Sequence, residues 1–171
     1  MQKLTVFALA AALLGSAGLS AQQPNAIQRA STLLGAGTVK TIQFVGTGQN
    51  FSVGQNYTSS DPWPAVPVKS YTATINYDTG SMRVELLRTM GPVMPRGGGA
   101  PFTGEQRQTQ VVSGNYAWNV PVAPAGGAAP AAQPQAAAQS ERMLALWATP
   151  QGFVKAAMAN NATTQIGRAH V

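Results

Sequence analysis

The chain has 171 residues, only 9% of them charged, with a formal net charge of +6, no cysteine and a single histidine. That excludes disulfides, thiolate zinc sites and a cysteine nucleophile, and it removes the cysteine a lipoprotein would carry near its start. The basic residues are scattered singly, with no run and no interleaved aromatics, so the excess charge reflects a shortage of acids rather than nucleic-acid binding.

Length allows one domain with a real core, and the 18 glycines and 12 prolines assign a large share of the chain to loops. Lys3, the apolar run Leu4 to Leu14 and the small residues Gly15 to Ala21 read as a secretory signal peptide, residues 1–21. Cleavage is expected after Ala21, with Ser20 and Ala17 as alternatives. The apolar run is well short of the roughly twenty residues that span a bilayer, so the mature chain is expected to be exported, periplasmic or secreted, without a membrane anchor.

From residue 22 to 120 the pattern predicts a short helix followed by an antiparallel sheet. Asn25 can cap a helix with Ile27, Ala30, Leu33 and Leu34 on one face and Gly35 or Gly37 at its end, expected to lie on the sheet. Val39 to Val45 alternates as a strand, with Ile42 and Phe44 on one face, until Gly46-Thr47-Gly48 breaks or bulges it. That glycine pair lacks the following helix of a phosphate loop. Phe51 to Pro67 has too many prolines for a central strand; there Trp63 reads as a cover over the sheet end, with ligand stacking as the alternative.

Lys69 to Met90 is the clearest unit. Tyr71, Ala73, Ile75 and Tyr77 share one face, Met82, Val84 and Leu86 share another, and Asp78-Thr79-Gly80 lies between, the signature of a β-hairpin. Arg83 and Glu85 lie on its polar face as a solvated pair. Gly91 to Phe102 reads as a mobile connector, although Arg96 beside three glycines could grip an anion. Gln106 to Val112 and Tyr116 to Val120 form a second hairpin across Ser113-Gly114-Asn115, with Val112, Tyr116 and Trp118 expected in the core.

Residues 121–139 form a Pro/Ala/Gly tract that cannot offset its ordering entropy by burial, and a disordered loop or linker is expected. Residues 140–165 read as a helical pair. Ser140 is the expected cap of a helix carrying Met143, Leu144 and Trp147 on one stripe, and Thr149-Pro150 starts a second helix running to about Asn160. The fold class is thus α+β and mainly β: a twisted antiparallel sheet of about five strands, a short N-terminal helix, and a C-terminal helical pair packed on one face. Trp63, Tyr71, Trp118, Trp147 and Phe153 are the candidate core or apolar pocket.

Catalytic groups are hard to assemble from this inventory. The lone His170 stands near the C-terminus, and Asp61, Asp78, Glu85, Glu105 and Glu141 show no paired spacing suited to acid/base or metal chemistry. No catalytic, metal or cofactor-binding residue is therefore assigned. The closing run Ile166-Gly167-Arg168-Ala169-His170-Val171 matches one reading frame of a common sequencing adapter, so residues 166–171 are expected to be non-native and the native protein to continue past Gln165.

Several runs carry a resemblance: Asn50-Phe51 to Pro64, Val68 to Asp78, Gly104-Glu105-Gln106-Arg107-Gln108, Val112-Ser113-Gly114-Asn115-Tyr116-Ala117-Trp118-Asn119, and Leu146-Trp147-Ala148-Thr149-Pro150-Gln151-Gly152-Phe153. Together they resemble the N-terminal, non-catalytic region of exported bacterial metallo-β-lactamase-fold hydrolases, over nearly all of the mature chain. The resemblance implies a β-rich accessory domain, truncated, whose partner is a downstream hydrolase domain that holds the zinc. The family's His-x-His-x-Asp-His signature is absent here, so none of its ligands carries over. A weaker likeness, in element order, is to the curved sheet of periplasmic lipoprotein carriers. It implies the alternative function, a binding module for an apolar ligand such as an acyl chain or lipoprotein. A sheet face filled by Trp118, Trp147 and Phe153, with a bare edge strand, favours the first reading; an open concave face favours the second.

Overall fold

The computed structural model describes residues 25–97, 104–128 and 130–164. The expected signal peptide, part of the glycine-rich connector, and the closing tail with His170 lie outside them. Six strands form one antiparallel sheet in sequence order: β1 (Thr41–Phe51), β2 (Ala65–Asn76), β3 (Ser81–Thr89), β4 (Glu105–Ser113), β5 (Tyr116–Asn119) and β6 (Gln133–Pro134). Among the described residues three α-helices accompany it, α1 (Ala26–Leu34), α2 (Gln139–Trp147) and α3 (Pro150–Ala159).

The sheet follows from strict alternation and from two tight connections. In the β2–β3 turn the Asn76 side chain accepts from the amides of Asp78 (3.0 Å) and Thr79 (3.1 Å), and Gly80 supplies the left-handed residue at φ 58°. In the β4–β5 turn Ser113 faces Tyr116, leaving Gly114 at φ 52° and Asn115 as the loop. The register then places Ile75 opposite Met82, Ala73 opposite Val84, and Met82 opposite Val112. These residues are buried on one face, joined there by Tyr77, Ala117 and Leu146. Arg83 and Glu85 point the other way, in contact at 2.6 Å and in solvent.

Several expectations change. The sheet has six strands, not about five, because the Pro/Ala/Gly tract ends in structure: β6 pairs with β5, the Gln135 amide donates to the Ala117 carbonyl (2.8 Å), and a 3-10 turn at Ala136–Ala138 leads into α2. α2 consequently begins at Gln139 with no side-chain cap, and Ser140 lies inside the helix. Pro67 sits in an interior strand. It is tolerated because the β2–β3 ladder starts only at Val68, so Pro67 faces Gln49 of β1 alone. The glycine pair at 46 and 48 bulges β1 without ending it.

Tyr116 is 75% exposed and Trp118 only half-buried. Val112 pairs with Ala117, and a period of two then sends both aromatics to the opposite face. On α2 the buried positions are Arg142 and Leu146, while Leu144 faces solvent. α1 has the expected Asn25 cap, with Gln28 closing a capping box, and ends at left-handed Gly35. It packs against α3 rather than on the sheet, and Leu33 is left exposed. No helix among the described residues is long and apolar enough to cross a membrane.

Candidate functional site

The sheet and helices meet at a junction built around Thr149. Its backbone is extended and its side chain caps α3, accepting from the Gly152 amide at 3.3 Å, with Pro150 at the first helical position. The Thr149 hydroxyl also contacts the Leu146 carbonyl at 2.8 Å as donor. A hydroxyl has one hydrogen, so in the 2.8 Å contact with Tyr77 the tyrosine must donate. Three elements are thereby tied at one oxygen: the end of β2, the end of α2 and the start of α3. Gly152 is forced there, since a Cβ would stand 2.7 Å from both the Leu146 carbonyl oxygen and Thr149 Oγ1.

Beside this knot lies a groove of about 450 Å³ lined by Tyr77, Asp78, Trp147, Lys155, Ala156, Ala159 and Asn160. The Tyr77 and Trp147 rings are tilted by 38° with centroids 6.1 Å apart. Lys155 Nζ stands 5.6 Å from the centre of the Tyr77 ring, a cation–π distance. Asp78 at the rim meets Lys40 at 3.4 Å in solvent. The groove therefore offers aromatic walls and a mixed-charge rim, suited to holding an apolar body with a polar end.

A second feature was invisible in the apolar pattern. Arg142 is 9% exposed, and its guanidinium donates from Nη1 to the carbonyls of Val111 (3.0 Å) and Trp118 (2.9 Å) and from Nη2 to Asn119 Oδ1 (2.7 Å). Burial depresses its pKa, opposed by the neighbouring Glu141. The group clips α2 to β4 and β5. Its spacing of four from Leu146 is the one sequence signal that could have placed it on the inner stripe.

The five candidate pocket residues do not converge. Trp147 lines the groove just described. Tyr71 lines a separate cleft on β1 and β2 with Phe44 and Val68, where partial burial raises its hydroxyl pKa. Trp63, 49% exposed, forms a shallow patch with Phe51, Asp61 and Pro62. Trp118 packs half-buried on the far side of β5, and Phe153 is 67% exposed.

Titratable groups are placed for structure. Glu105 is held below the usual carboxylate range by its 2.7 Å bond to Lys69 and by that ammonium's charge, the opposite of what a general acid needs. Among the described residues no three His, Asp or Glu side chains gather where a metal could sit. Arg96 spends its side chain on the Tyr57 carbonyl (3.2 Å) and its amide donates to Gln55 (2.9 Å), tying the connector to the preceding loop. No family model, curated protein or solved structure matches this chain.

Proposed function

We propose that this chain is a non-catalytic, exported accessory module that precedes a metallo-β-lactamase-fold hydrolase domain and packs on or positions it. The observation that carries the reading is the filled inner face of the sheet, covered by Leu146 and Trp147 and not, as expected, by Trp118 and Phe153 as well. Leu146, fully buried, sits with Ile75, Val112 and Ala73, and Arg142 locks the same helix down, so the chain's own helix occupies the surface a carrier would leave open for its ligand. The residue runs that resemble the N-terminal region of those hydrolases point the same way. The zinc would belong to the downstream domain, and the module would reach the periplasm or the exterior through the leader at residues 1–21.

The gene tests this directly. Nucleotides beyond the Gln165 codon should encode a His-rich hydrolase segment, and hydrolase expressed with residues 22–165 should be more stable than hydrolase without them. A downstream region lacking such a segment, or metal-dependent hydrolysis by residues 22–165 alone, would overturn the proposal.

The aromatic groove favours a second reading, a binding module for an apolar ligand such as an acyl chain or lipoprotein. Trp147 is its reporter. A fatty-acyl probe that binds at micromolar concentration, quenches Trp147 fluorescence and is lost in Trp147→Ala would support it; a probe whose binding ignores that substitution would not.

A further inference from the structure

Among the described residues the sheet's first strand has one side with no neighbour: β1 pairs with β2 and occupies the end of the sheet order. Which backbone groups it offers can be deduced. The Tyr77 amide donates to the Lys40 carbonyl at 2.9 Å, so 40 and 77 form a hydrogen-bonded pair. Antiparallel ladders alternate bonded and non-bonded pairs, so Ile42–Ile75 and Phe44–Ala73 are bonded too. Thr41, Gln43 and Val45 must therefore aim their N–H and C=O groups away from the sheet. The regular stretch ends at the bulge between Gly46 and Gly48.

We propose that this edge pairs with the same edge of a second copy of the chain, antiparallel, with the twofold axis through Gln43. Gln43 then bonds Gln43 of the second copy and Thr41 bonds its Val45, giving about six inter-strand hydrogen bonds. Ile42 and Phe44, half-buried against the core, fall opposite each other on the inner face, and the two sheets continue as one.

Three observations select a second copy over a foreign strand. The outward-facing set is its own complement about Gln43, and the bulge denies a longer strand a continuous ladder. β1 also carries no charged residue, so two copies meet without like-charge contact despite the chain's net +6. Finally, β1 contains neither a lysine nor a proline to blunt its edge, its bulge lies beyond the Thr41 to Val45 segment, and Val45 is 75% exposed. Gln43 adds a polar contact of its own. Its Nε2 donates to Thr74 at 3.0 Å, which orients the amide so that its oxygen can accept from Gln43 of the second copy. The inference does not depend on the accessory-module reading.

The test is a charge swap at the axis, in protein expressed from the full-length sequence, read by sedimentation equilibrium across a micromolar concentration series. Wild-type chain should be a reversible dimer. Gln43→Lys alone and Gln43→Glu alone should each weaken dimerisation about five-fold or more, because like charges then stand directly opposite. Equal mixtures of the two should dimerise at least as well as wild type, with unchanged circular dichroism throughout. A wild-type chain that is monomeric over the whole series, as expected if a foreign strand is the true occupant, overturns the proposal. So do single variants that dimerise as tightly as wild type, or a mixture that fails to recover.

Discussion

Tyr77 Oη and Thr149 Oγ1 lie 2.8 Å apart although the residues are 72 positions apart in the chain. That one contact joins the residue that follows β2 to the cap of α3, and it fixes the wall of the aromatic groove. A partly buried neutral hydrogen bond contributes about 0.5–1.5 kcal/mol, and an N-cap threonine about 0.5–2 kcal/mol over alanine. Tyr77→Phe and Thr149→Ala should each lower stability within those ranges in urea unfolding. Because they share a partner, the double variant should lose less than the sum; strict additivity would show the contact to be energetically idle.

Arg142 should be costly to remove and poorly replaced by lysine. Arg142→Leu removes the charged hydrogen bonds to the carbonyls of Val111 and Trp118 and to Asn119 Oδ1, a loss of about 1–3 kcal/mol. Arg142→Lys keeps the charge but not the planar fork that reaches those carbonyls and Asn119 together. Both variants should unfold at lower urea concentration than wild type, with an unchanged slope. A lysine variant as stable as wild type would mean that charge, not geometry, holds α2.

Gly91 and Gly152 should refuse a methyl group. At Gly91 a Cβ would stand 1.8 Å from the Ala65 carbonyl oxygen, where the chain leaving β3 crosses the start of β2. Alanine there requires backbone movement, and at Gly152 the 2.7 Å approaches also involve the α3 cap. Both substitutions should lower the melting temperature by several degrees, in contrast to Gly48→Ala, whose Cβ would meet nothing within 4 Å. Equal melting temperatures for all three would contradict the packing at these crossings.

The Lys69–Glu105 contact predicts a pH signature. The folded pKa of Glu105 is depressed, so its contribution to stability is present above the ordinary glutamate pKa and is lost as pH falls through the lower folded value. Carbon-detected NMR titration should place Glu105 below the ordinary glutamate range in wild-type protein and move it upward in Lys69→Met. Both side chains of the pair are about half exposed, so high salt should have a similar, smaller effect. A titration insensitive to Lys69→Met would rule out that lysine as the cause.

Local chemistry was legible along the chain. The Asn25 cap, the left-handed glycine after α1, the Thr149-Pro150 start of α3 and the two-fold alternation through Ile75 and Val84 each depend on near neighbours, and each appears where the pattern places it. The candidate site was less so. Trp147 stood on the correct helix, but Lys155, Asp78 and the Tyr77–Thr149 bond come from segments with no sequence tie. Trp63 and Phe153, candidates for the core or an apolar pocket, are surface residues.

The order of residues by itself determined where strands alternate, where turns need glycine and where helices begin, because those preferences act over a few bonds. Only the tertiary structure decided which stripe of α2 faces inward, that the end of a proline-rich tract becomes β6, and that a buried arginine joins Leu146 in fastening the helix. Burial depends on which surface arrives opposite, and the carbonyls of Val111 and Trp118 that make Arg142 welcome inside come together only when the sheet is already formed.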